Sequence, residues 1–406
     1  MNGVIAGIPL RWIAIFIFAL TNTLSFLDRQ LLVAVAPTLR AEFDLSNAQI
    51  GLLGTAFSIP YALSAPVSGF LIDRLGLNRA VSAALSLWSL AGIATGFSGS
   101  FAGLVLCRGA LGIAESANIP ASGKAVGMYL QPRERALGSA TGQWGITLGA
   151  TSATLLAGWM APRYGWRAPF VVAGLLGFLW IPLWWLVSRR VPTNPLPTAK
   201  PAPITGDRRL WGLIAGAMFG MAVYSLWTNW TTVFFVETFH LTERDANLRL
   251  AWMPPVFASL GGLSGGVLSY RMAQGSTAFA SARLRAILVA ACASLVTAAI
   301  PHLPSPGWAV AAVCWSFFWA ASLSANLYAL PIDFFGPERA GSGVAALTFA
   351  YGAMQSALFY AAGWMIDRSG FGLLCGLIAL CPLIAWALLR WTAGLADAGR
   401  PPRDAG

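Results

Sequence analysis

Long apolar stretches constrain this chain more than any other feature, because they limit what it can fold into. Twelve of them reach about 18 residues or more, the length that lets a helix cross a bilayer. The predicted spans are 12–37, 46–71, 80–98, 101–125, 136–161, 168–188, 209–238, 247–270, 283–301, 307–334, 340–366 and 371–391. Hydrophobic residues make up 57% and charged residues only 10% of the 406 positions, too little polar surface for a soluble globule. The sequence predicts an all-α integral membrane protein.

The distribution of basic residues predicts how the chain is oriented. With the N-terminus in the cytoplasm, seventeen of the 26 Lys and Arg residues lie on the cytoplasmic side, six lie outside and three lie within spans. The positive-inside rule accounts for this asymmetry and for the net charge of +11. Nucleic-acid binding needs a concentrated basic face with base-reading or stacking residues, and the sequence has none. We expect a monomeric, multi-pass protein of the inner (plasma) membrane, surrounded by lipid, with both termini cytoplasmic and no nucleic-acid partner.

The Cys and His residues argue against an enzyme. All five cysteines lie in apolar spans without the spacing of metal ligands, which is typical of small packing residues. The two histidines, His240 and His302, lie near predicted external loops, and the sequence has neither an HExxH motif nor a nucleophile–His pattern. We therefore expect no enzymatic activity, no metal and no cofactor.

The two halves of the chain resemble each other. Three motifs of the first half recur in the second at offsets of 197, 204 and 205 residues. The paired stretches are SGFLIDR (68–74) with GGVLSYR (265–271), PRERALG (132–138) with PERAG (337–341), and GWMAPRYGW (158–166) with GWMIDRSGF (363–371). We predict two pseudo-symmetric halves of six helices, 1–188 and 210–406. A basic, Pro-rich cytoplasmic linker at 189–209 is predicted to join them.

The fourth predicted span, 101–125, carries two opposite charges, Arg108 and Glu115. They are seven residues apart, so at about 3.6 residues per turn they lie on nearly the same face of a helix. A charge at mid-bilayer costs about 2.5–3.5 kcal/mol or more, so such residues normally face a partner or a water-filled path. The stripe indicates a transport pathway. The alternative is an ion pair, within the helix or to another helix, that serves only structure.

The stretch GFLIDRLGLNRA at 69–80 resembles the signature that follows the second helix in the major facilitator superfamily. That resemblance implies the major facilitator fold, whose two repeated six-helix halves enclose a site near the membrane midplane. It also implies a gating contact of Asp73, Arg74 and Arg79 at the cytoplasmic surface. The alternative is ordinary loop capping, since an Asp next to a helix N-terminus is favourable. The second half has Tyr270 where an Asp is expected, which puts an equivalent contact there in doubt.

Four further stretches resemble the anion:cation symporter branch of that superfamily, which includes bacterial hexuronate and galactonate transporters. They are FLDRQLLVAVAP (26–37), RGALGIAESANIP (108–120), AWMPPVFASLGGLSGGVLSYR (251–271) and SANLYALPIDFFGPE (324–338). Carried over by position, the resemblance implies that Asp28 and Glu115 are proton-carrying carboxylates. It implies that Arg29 contacts the substrate carboxylate, and that Arg108 pairs with Glu115 or helps to organise it.

Three polar residues are further candidates for substrate contact. Tyr61 and Gln143 match positions that face the substrate in sugar-acid relatives, and Asn326 could face it too. Tyr61 alone could equally be interfacial or packed. Gln143 and Asn326 are costly in a helix interior without partners, so a polar cavity is favoured over hydrogen bonds between helices. The chain has Ser25-Phe26 where family members often have Asn-Tyr, a change that suits a less hydroxylated carboxylate.

The sequence favours a proton-coupled symporter of a small organic anion, such as a hexuronate or another monocarboxylate. The charges of Asp28, Arg29, Arg108 and Glu115 cancel when all four are ionised. A bound carboxylate then adds a negative charge that protonation of one acid removes. The nearest rival is a facilitator-fold, proton-driven efflux antiporter for drugs or metabolites, which would not need Arg29 as an anion receptor. A non-transporting sensor or channel would be favoured by a long soluble extension, which this sequence does not show.

Overall fold

All the long secondary-structure elements in the described part of the chain are helices. The computed structural model describes residues 4–5, 8–192, 206–274, 279–336 and 339–398. One antiparallel pair of two-residue strands, β1 (Val4–Ile5) and β2 (Ile8–Pro9), precedes the first helix. Every other regular element in the described ranges is a helix, as an all-α membrane protein requires.

The helices of the first half break inside two predicted spans, at Val35 within 12–37 and after Glu115 within 101–125. They are α1 (Leu10–Ala34), α2 (Ala36–Phe43), α3 (Asn47–Leu75), α4 (Leu77–Gly96), α5 (Phe101–Glu115), α6 (Asn118–Tyr129), a 3₁₀ turn (Pro132–Glu134), α7 (Arg135–Tyr164) and α8 (Arg167–Ser188). The predicted span 101–125 is therefore two helices rather than one. Pro120 explains this second break, because a proline is tolerated in the first turn of α6 but not in a helix interior. Glu115 consequently lies at a helix end.

The second half follows the same plan. Its helices are α9 (Arg208–Gly220), α10 (Ala222–Phe239), α11 (Glu243–Asp245), a π-helical turn (Ala246–Ala251), α12 (Met253–Ala273), α13 (Phe279–Ala293), a 3₁₀ stretch (Ser294–His302), α14 (Pro306–Phe335) and α15 (Ala340–Ala398). α15 contains two predicted spans, 340–366 and 371–391. Gly370 separates them with a φ of 67°, a conformation that strains any residue carrying a Cβ.

All twelve predicted spans correspond to helical runs of the described residues. By length and composition alone, seven helical stretches could cross a membrane. One of them, α15, holds two of the predicted spans. The remaining spans lie in α4, α5 with α6, α7, and the π-helical turn with α12. They are less apolar or shorter because a break or Gly, Ser, Thr and Arg residues interrupt them.

The internal repeat is visible in the backbone as well as in the sequence. Four pairs of related positions share a conformation or a capping role at offsets of 196 or 205 residues. They are Asp44 with His240, both at positive φ; Ser46 with Thr242 and Ser100 with Ser305, all N-caps; and Gly165 with Gly370, both at positive φ. The same turns and helix starts therefore punctuate both halves.

Contacts divide the chain into two compact units. Unit 1 is Met1–Thr198 with Thr232–Trp252, and unit 2 is Ala199–Thr231 with Met253–Gly406. We call Thr232–Trp252 the clasp segment, because it comes from the second half of the sequence and packs within unit 1. The boundaries 1–188, 189–209 and 210–406 stay a prediction, and residues 193–205 of the linker lie outside the described ranges.

Glycines let the helices of unit 1 approach closely where the site is built. Gly149 of α7 lies against the α1 backbone at Thr23, and Gly112 of α5 lies against the α3 backbone at Phe57. An added Cβ at either glycine would collide with the neighbouring carbonyl oxygen. This packing brings α5 close to the aromatic face of α3.

Candidate functional site

The site begins on α1, where Ser25, Asp28 and Arg29 occupy just over one helical turn. Ser25 and Asp28 are buried, whereas the Arg29 side chain keeps 19% of its surface exposed. Residues 25 and 29 are four positions apart, so their side chains lie on the same face and reach the same neighbours. α1 therefore presents a hydroxyl and a guanidinium together.

The shared neighbour of Ser25 and Arg29 is Glu115, the last residue of α5. Its Oε2 accepts a hydrogen bond from Ser25 Oγ at 2.8 Å and from Arg29 Nε at 2.7 Å. Glu115 is fully buried, and its other oxygen, Oε1, has no hydrogen-bond partner among the described residues. The two oxygens of one carboxylate thus have different surroundings, and Oε1 is the one free to take a proton.

Aromatic rings surround the Arg29 guanidinium. Its Cζ atom lies 5.0 Å from the ring centroid of Phe26, 4.7 Å from that of Phe57 and 4.6 Å from that of Tyr61. Phe57 and Tyr61 are one turn apart on α3, and their rings stack with centroids 5.6 Å apart. Cation–π attraction favours this arrangement and fixes the guanidinium.

Arg108 does not pair directly with Glu115. The resemblance implied that Arg108 pairs with Glu115 or helps to organise it; in the structure Glu115 pairs with Arg29, and Arg108 has no ion-pair partner among the described residues. Arg108 is buried, its Cζ lies 5.0 Å from the Phe57 centroid, and its Nε and Nη1 lack hydrogen-bond acceptors. It therefore acts on Glu115 through its charge rather than through a direct bond.

Asp28 is the second buried carboxylate. Its Oδ1 has no partner among the described residues and faces α4, where a Cβ added to Gly92 would lie 3.5 Å from it. Buried polar groups without partners are rare in folded proteins, and they cluster where water, a proton or a ligand is bound. Asp28, Arg108 and Glu115 all have such unpartnered atoms.

We call these residues the Arg29 cluster. Its members are Ser25, Phe26, Asp28, Arg29, Phe57, Tyr61, Arg108 and Glu115. Sequence reasoning proposed five of the eight as site residues. It noted Ser25 and Phe26 only as departures from the family, and it missed Phe57, whose four-residue spacing from Tyr61 on one helix was the available signal.

A neutral polar network continues from the cluster along α1. Asn22 Oδ1 accepts from Asn118 Nδ2 at 2.8 Å and from Ser122 Oγ at 3.2 Å, and Asn22 Nδ2 donates to the Gly142 carbonyl at 3.3 Å. Asn118 is the first residue of α6, directly after the break that follows Glu115. The network ties α6 and α7 to α1.

The other two substrate candidates, Gln143 and Asn326, lie on α7 and α14. Gln143 of α7 is exposed. Asn326 is buried in unit 2, where its Nδ2 donates to the carbonyls of Gly265 and Ser322, each at 3.0 Å. The bond to Gly265 on α12 is a hydrogen bond between helices, and Asn326 Oδ1 has no partner among the described residues.

The cytoplasmic gating candidates form one ion pair. Asp73, in the last turn of α3, accepts from Lys124 Nζ of α6 at 2.7 Å. Neither Arg74 nor Arg79 has an ion-pair partner in the described ranges, and both are exposed. Sequence reasoning missed Lys124 because it lies within an apolar span.

The clasp segment adds polar contacts at another part of unit 1. Glu237 pairs with Arg40 and accepts from Asn47 Nδ2 at 3.0 Å. Glu243 accepts from the backbone N–H and the hydroxyl of Thr38, at 2.9 and 2.7 Å. Burial raises the pKa of the Glu243 carboxyl above its ordinary value, although the two hydrogen bonds from Thr38 act in the opposite direction.

Within the described residues, no three His, Cys, Asp or Glu side chains come together as a metal-binding group. The chemistry of the Arg29 cluster is instead that of cations and acids. It has two guanidinium groups, two carboxylates, and donors and acceptors that lack partners. Such a cluster can bind an anion and exchange a proton.

Comparisons with known proteins agree with this architecture. The sequence model described as Major Facilitator Superfamily matches residues 18–359. A hexuronate transporter of Escherichia coli (strain K12) is 27% identical, with 94% of each chain covered. A probable sulfoacetate transporter of Cupriavidus necator is 25% identical, with 89% of each chain covered. A bacterial homolog of the human lysosomal transporter Spinster, solved in an inward-facing and occupied conformation, superposes with a TM-score of 0.79 at 21% identity over 97% of this chain and 99% of that one.

Proposed function

Since the chain belongs to the Major Facilitator Superfamily and is a multi-pass membrane transporter, not an enzyme, we propose that it carries a small organic anion together with protons by alternating access. The anion is a carboxylate, such as a hexuronate or another monocarboxylate. The relatives named for hexuronate and sulfoacetate transport support an anionic substrate. The observation that carries the proposal is the pairing of Arg29 with the buried Glu115.

The Glu115 carboxylate binds the Arg29 guanidinium in the way that a substrate carboxylate would. While Glu115 is ionised, its Oε2 holds Arg29 Nε at 2.7 Å and neutralises the guanidinium charge. A proton arriving on Oε1, the oxygen without a partner, removes the negative charge and leaves Arg29 with an uncompensated positive one. Charge-assisted hydrogen bonds are about twice as strong as neutral ones, so Arg29 then favours an external carboxylate. Proton loading and anion binding become one coupled event.

Asp28 and Arg108 complete the balance of charge. With Arg29 and Glu115 they carry two positive and two negative charges, so a bound monocarboxylate is neutralised when one acid takes up a proton. Asp28 is the second proton carrier in this proposal. Arg108, buried without a hydrogen-bonded partner, offsets whichever carboxylate remains ionised.

The other predicted roles remain part of the proposal. Tyr61, beside Arg29, contacts the substrate, and Gln143 and Asn326 stay candidates for the same role. Asp73 contributes to gating at the cytoplasmic end, where the pair with Lys124 is the contact that must form and break.

The cellular setting proposed from the sequence supports uptake driven by the proton gradient. We place the protein in the inner (plasma) membrane with both termini in the cytoplasm, in agreement with the positive-inside pattern. Its proposed partners are the anion, protons and lipid, and its proposed state is a monomer. A proton gradient directed into the cell would then drive the anion inwards.

Proteoliposomes test the proposal and separate it from its rival. The probes are radiolabelled D-glucuronate and sulfoacetate, which are too polar to leak across the bilayer. A symporter accumulates a probe when the outside is acidic and stops when a protonophore is added. A proton-driven antiporter accumulates it when the inside is acidic. Uptake that is indifferent to both gradients would contradict proton coupling.

A further inference from the structure

Arg29 presents the terminal nitrogens of its guanidinium to an anion, rather than the edge that contains Nε. Its Nε donates to Glu115 Oε2, so another carboxylate would meet the end that carries Nη1 and Nη2, beside the Tyr61 side chain. The rings of Phe26, Phe57 and Tyr61 lie within 5.0 Å of Cζ. A carboxylate at this end, with the carbon that bears it, is therefore flanked by aromatic carbon.

Two neutral hydrogen-bonding residues of α1, Ser25 and Asn22, already make hydrogen bonds on the face that carries Arg29. Ser25 is fully buried and donates to Glu115. Asn22, two turns before Arg29, has its amide nitrogen bonded to Gly142 and its amide oxygen bonded to α6. Ser25 has used its single hydrogen, and Asn22 Oδ1 already accepts two hydrogen bonds, so what remains is acceptor capacity on the buried Ser25 Oγ and one N–H of the Asn22 amide.

The aromatic residues supply one further polar atom. Phe26 and Phe57 are hydrocarbon, and among the three rings around Arg29 only Tyr61 carries a hydroxyl. The three rings around the guanidinium thus provide apolar surface beside its charge, with a single hydroxyl among them. This surface suits a carboxylate attached to hydrocarbon better than one attached to a hydroxylated carbon.

We propose that the substrate is a monocarboxylate whose carbon skeleton next to the carboxylate is apolar, such as an alicyclic or aromatic acid, and that Phe26 sets this specificity. This inference rests on the proposed function. A hydroxyl held against the rings would lose its water without gaining a partner, which costs affinity. An apolar ring in the same place gains from leaving water and from contact with aromatic faces.

Two ligands of matched shape and charge test the inference. Cyclohexanecarboxylate and D-glucuronate each carry one carboxylate on a six-membered ring, and they differ mainly in their hydroxyl groups. Titration calorimetry with the purified full-length protein, at one pH, gives both dissociation constants. We expect cyclohexanecarboxylate to bind at least tenfold more tightly, and we expect Arg29→Ala to abolish its binding.

A variant of Phe26 makes the test specific to this residue. Phe26→Tyr adds one hydroxyl beside Arg29, so the preference for cyclohexanecarboxylate should fall by at least threefold. The matched control is Phe43→Tyr on α2, whose ring packs against Trp166 away from the cluster. It should leave the preference unchanged.

The outcomes separate this inference from the proposed function. Equal or tighter binding of D-glucuronate that depends on Arg29 would overturn the specificity and leave anion transport intact. Binding that survives Arg29→Ala would place the ligand elsewhere and overturn the inference. An unchanged preference in Phe26→Tyr would remove Phe26 from the specificity. Absence of binding by both ligands would overturn the inference, and the proposed function fails with it only if proteoliposomes also show no gradient-driven uptake.

Discussion

The two units share a backbone plan but differ in what they bury. Unit 1 buries three charged side chains, Asp28, Arg108 and Glu115, whereas the described part of unit 2 buries none. The buried polar groups of unit 2 include Ser316, which accepts from Trp227 Nε1 at 3.1 Å, and Asn326, which donates to backbone carbonyls. Unit 2 thus uses neutral polar groups to hold helices together.

This difference in buried charge indicates which unit of the duplicated fold holds the candidate site. A buried charge is costly in a membrane protein and is retained where it has work to do, whereas a neutral hydrogen bond between helices contributes about 0.6–2 kcal/mol to packing. Turns and caps are shared between the halves because both must fold the same way. One such set of charges is sufficient for the proton and anion chemistry that we propose.

The largest expected effect comes from removing the Arg29 cation of the cluster. Arg29→Ala should abolish carboxylate binding, because no neutral side chain can replace a charge-assisted fork. Arg29→Lys should restore binding only partly, since an ammonium group lacks the bidentate geometry. The matched control in unit 2 is Arg283→Ala, which breaks the ion pair of Arg283 with Asp333 at 2.5 Å. The control should keep its affinity, and the measurement is calorimetric titration of all three purified variants.

Variants of the gating contacts should show a smaller difference in transport between the two units. Asp73→Asn and Lys124→Gln break the same ion pair, so each should slow transport severalfold while leaving binding nearly intact. The double variant should be little worse than either single variant, because the pair is lost only once. Tyr270→Phe, at the related position of unit 2, should be milder. Equal defects in uptake at positions 73 and 270 would contradict the asymmetry.

Two buried serines give a closer comparison. Ser25→Ala removes one of two donors to an ionised Glu115, and such a bond contributes about 1.5–3 kcal/mol. Protonation then becomes easier, so the pH midpoint of ligand binding should move upwards by about one unit. Ser316→Ala removes only neutral hydrogen bonds, to Trp227 and Thr297, and should lower thermal stability by about 1 kcal/mol with an unchanged midpoint. Binding titrations across pH and thermal melts of both variants check this contrast.

The smallest expected effects concern two carboxylates of unit 1 outside the membrane spans. The Arg11 guanidinium lowers the pKa of Glu134, so this pair stabilises the fold above the ordinary carboxyl pKa and the contribution is lost as pH falls. Burial raises the pKa of Glu243, so its ionisation costs stability at neutral pH and the cost vanishes on acidification. Glu134→Gln should lower the melting temperature at pH 7 and Glu243→Gln should raise it. Both differences should shrink towards pH 4, and differences of the same sign would contradict the assignment.

The sequence was sufficient for the spans and for the membership of most of the site. Apolar length and the repeat predicted twelve helices because a bilayer demands them. The cost of buried charge singled out Arg108 and Glu115, and the resemblance to the anion:cation symporter branch added Asp28 and Arg29. The sequence could not predict which cation holds Glu115. That choice depends on the distance between helices and on where α5 ends.

Other contacts were hidden for the same reason. Lys124 reads as part of an apolar span until α6 is placed beside α3, where it meets Asp73. The clasp segment belongs to the second half by sequence, and only its contacts with Thr38, Arg40 and Asn47 show that it packs in unit 1. Pairings across long stretches of chain are set by packing, which a hydropathy pattern does not encode.

The count of protons taken up when the anion binds tests the central claim most directly. Calorimetric titration in buffers of different ionisation enthalpy gives this number for the wild-type protein and for Glu115→Gln. The ligand is cyclohexanecarboxylate or D-glucuronate, whichever binds the wild type more tightly. Gln resembles a protonated carboxyl in shape, so the variant should still bind. We predict an uptake of about one proton in the wild type, at a pH where Glu115 is ionised, and close to none in Glu115→Gln. The same uptake in both proteins would contradict the account and move the coupling to Asp28.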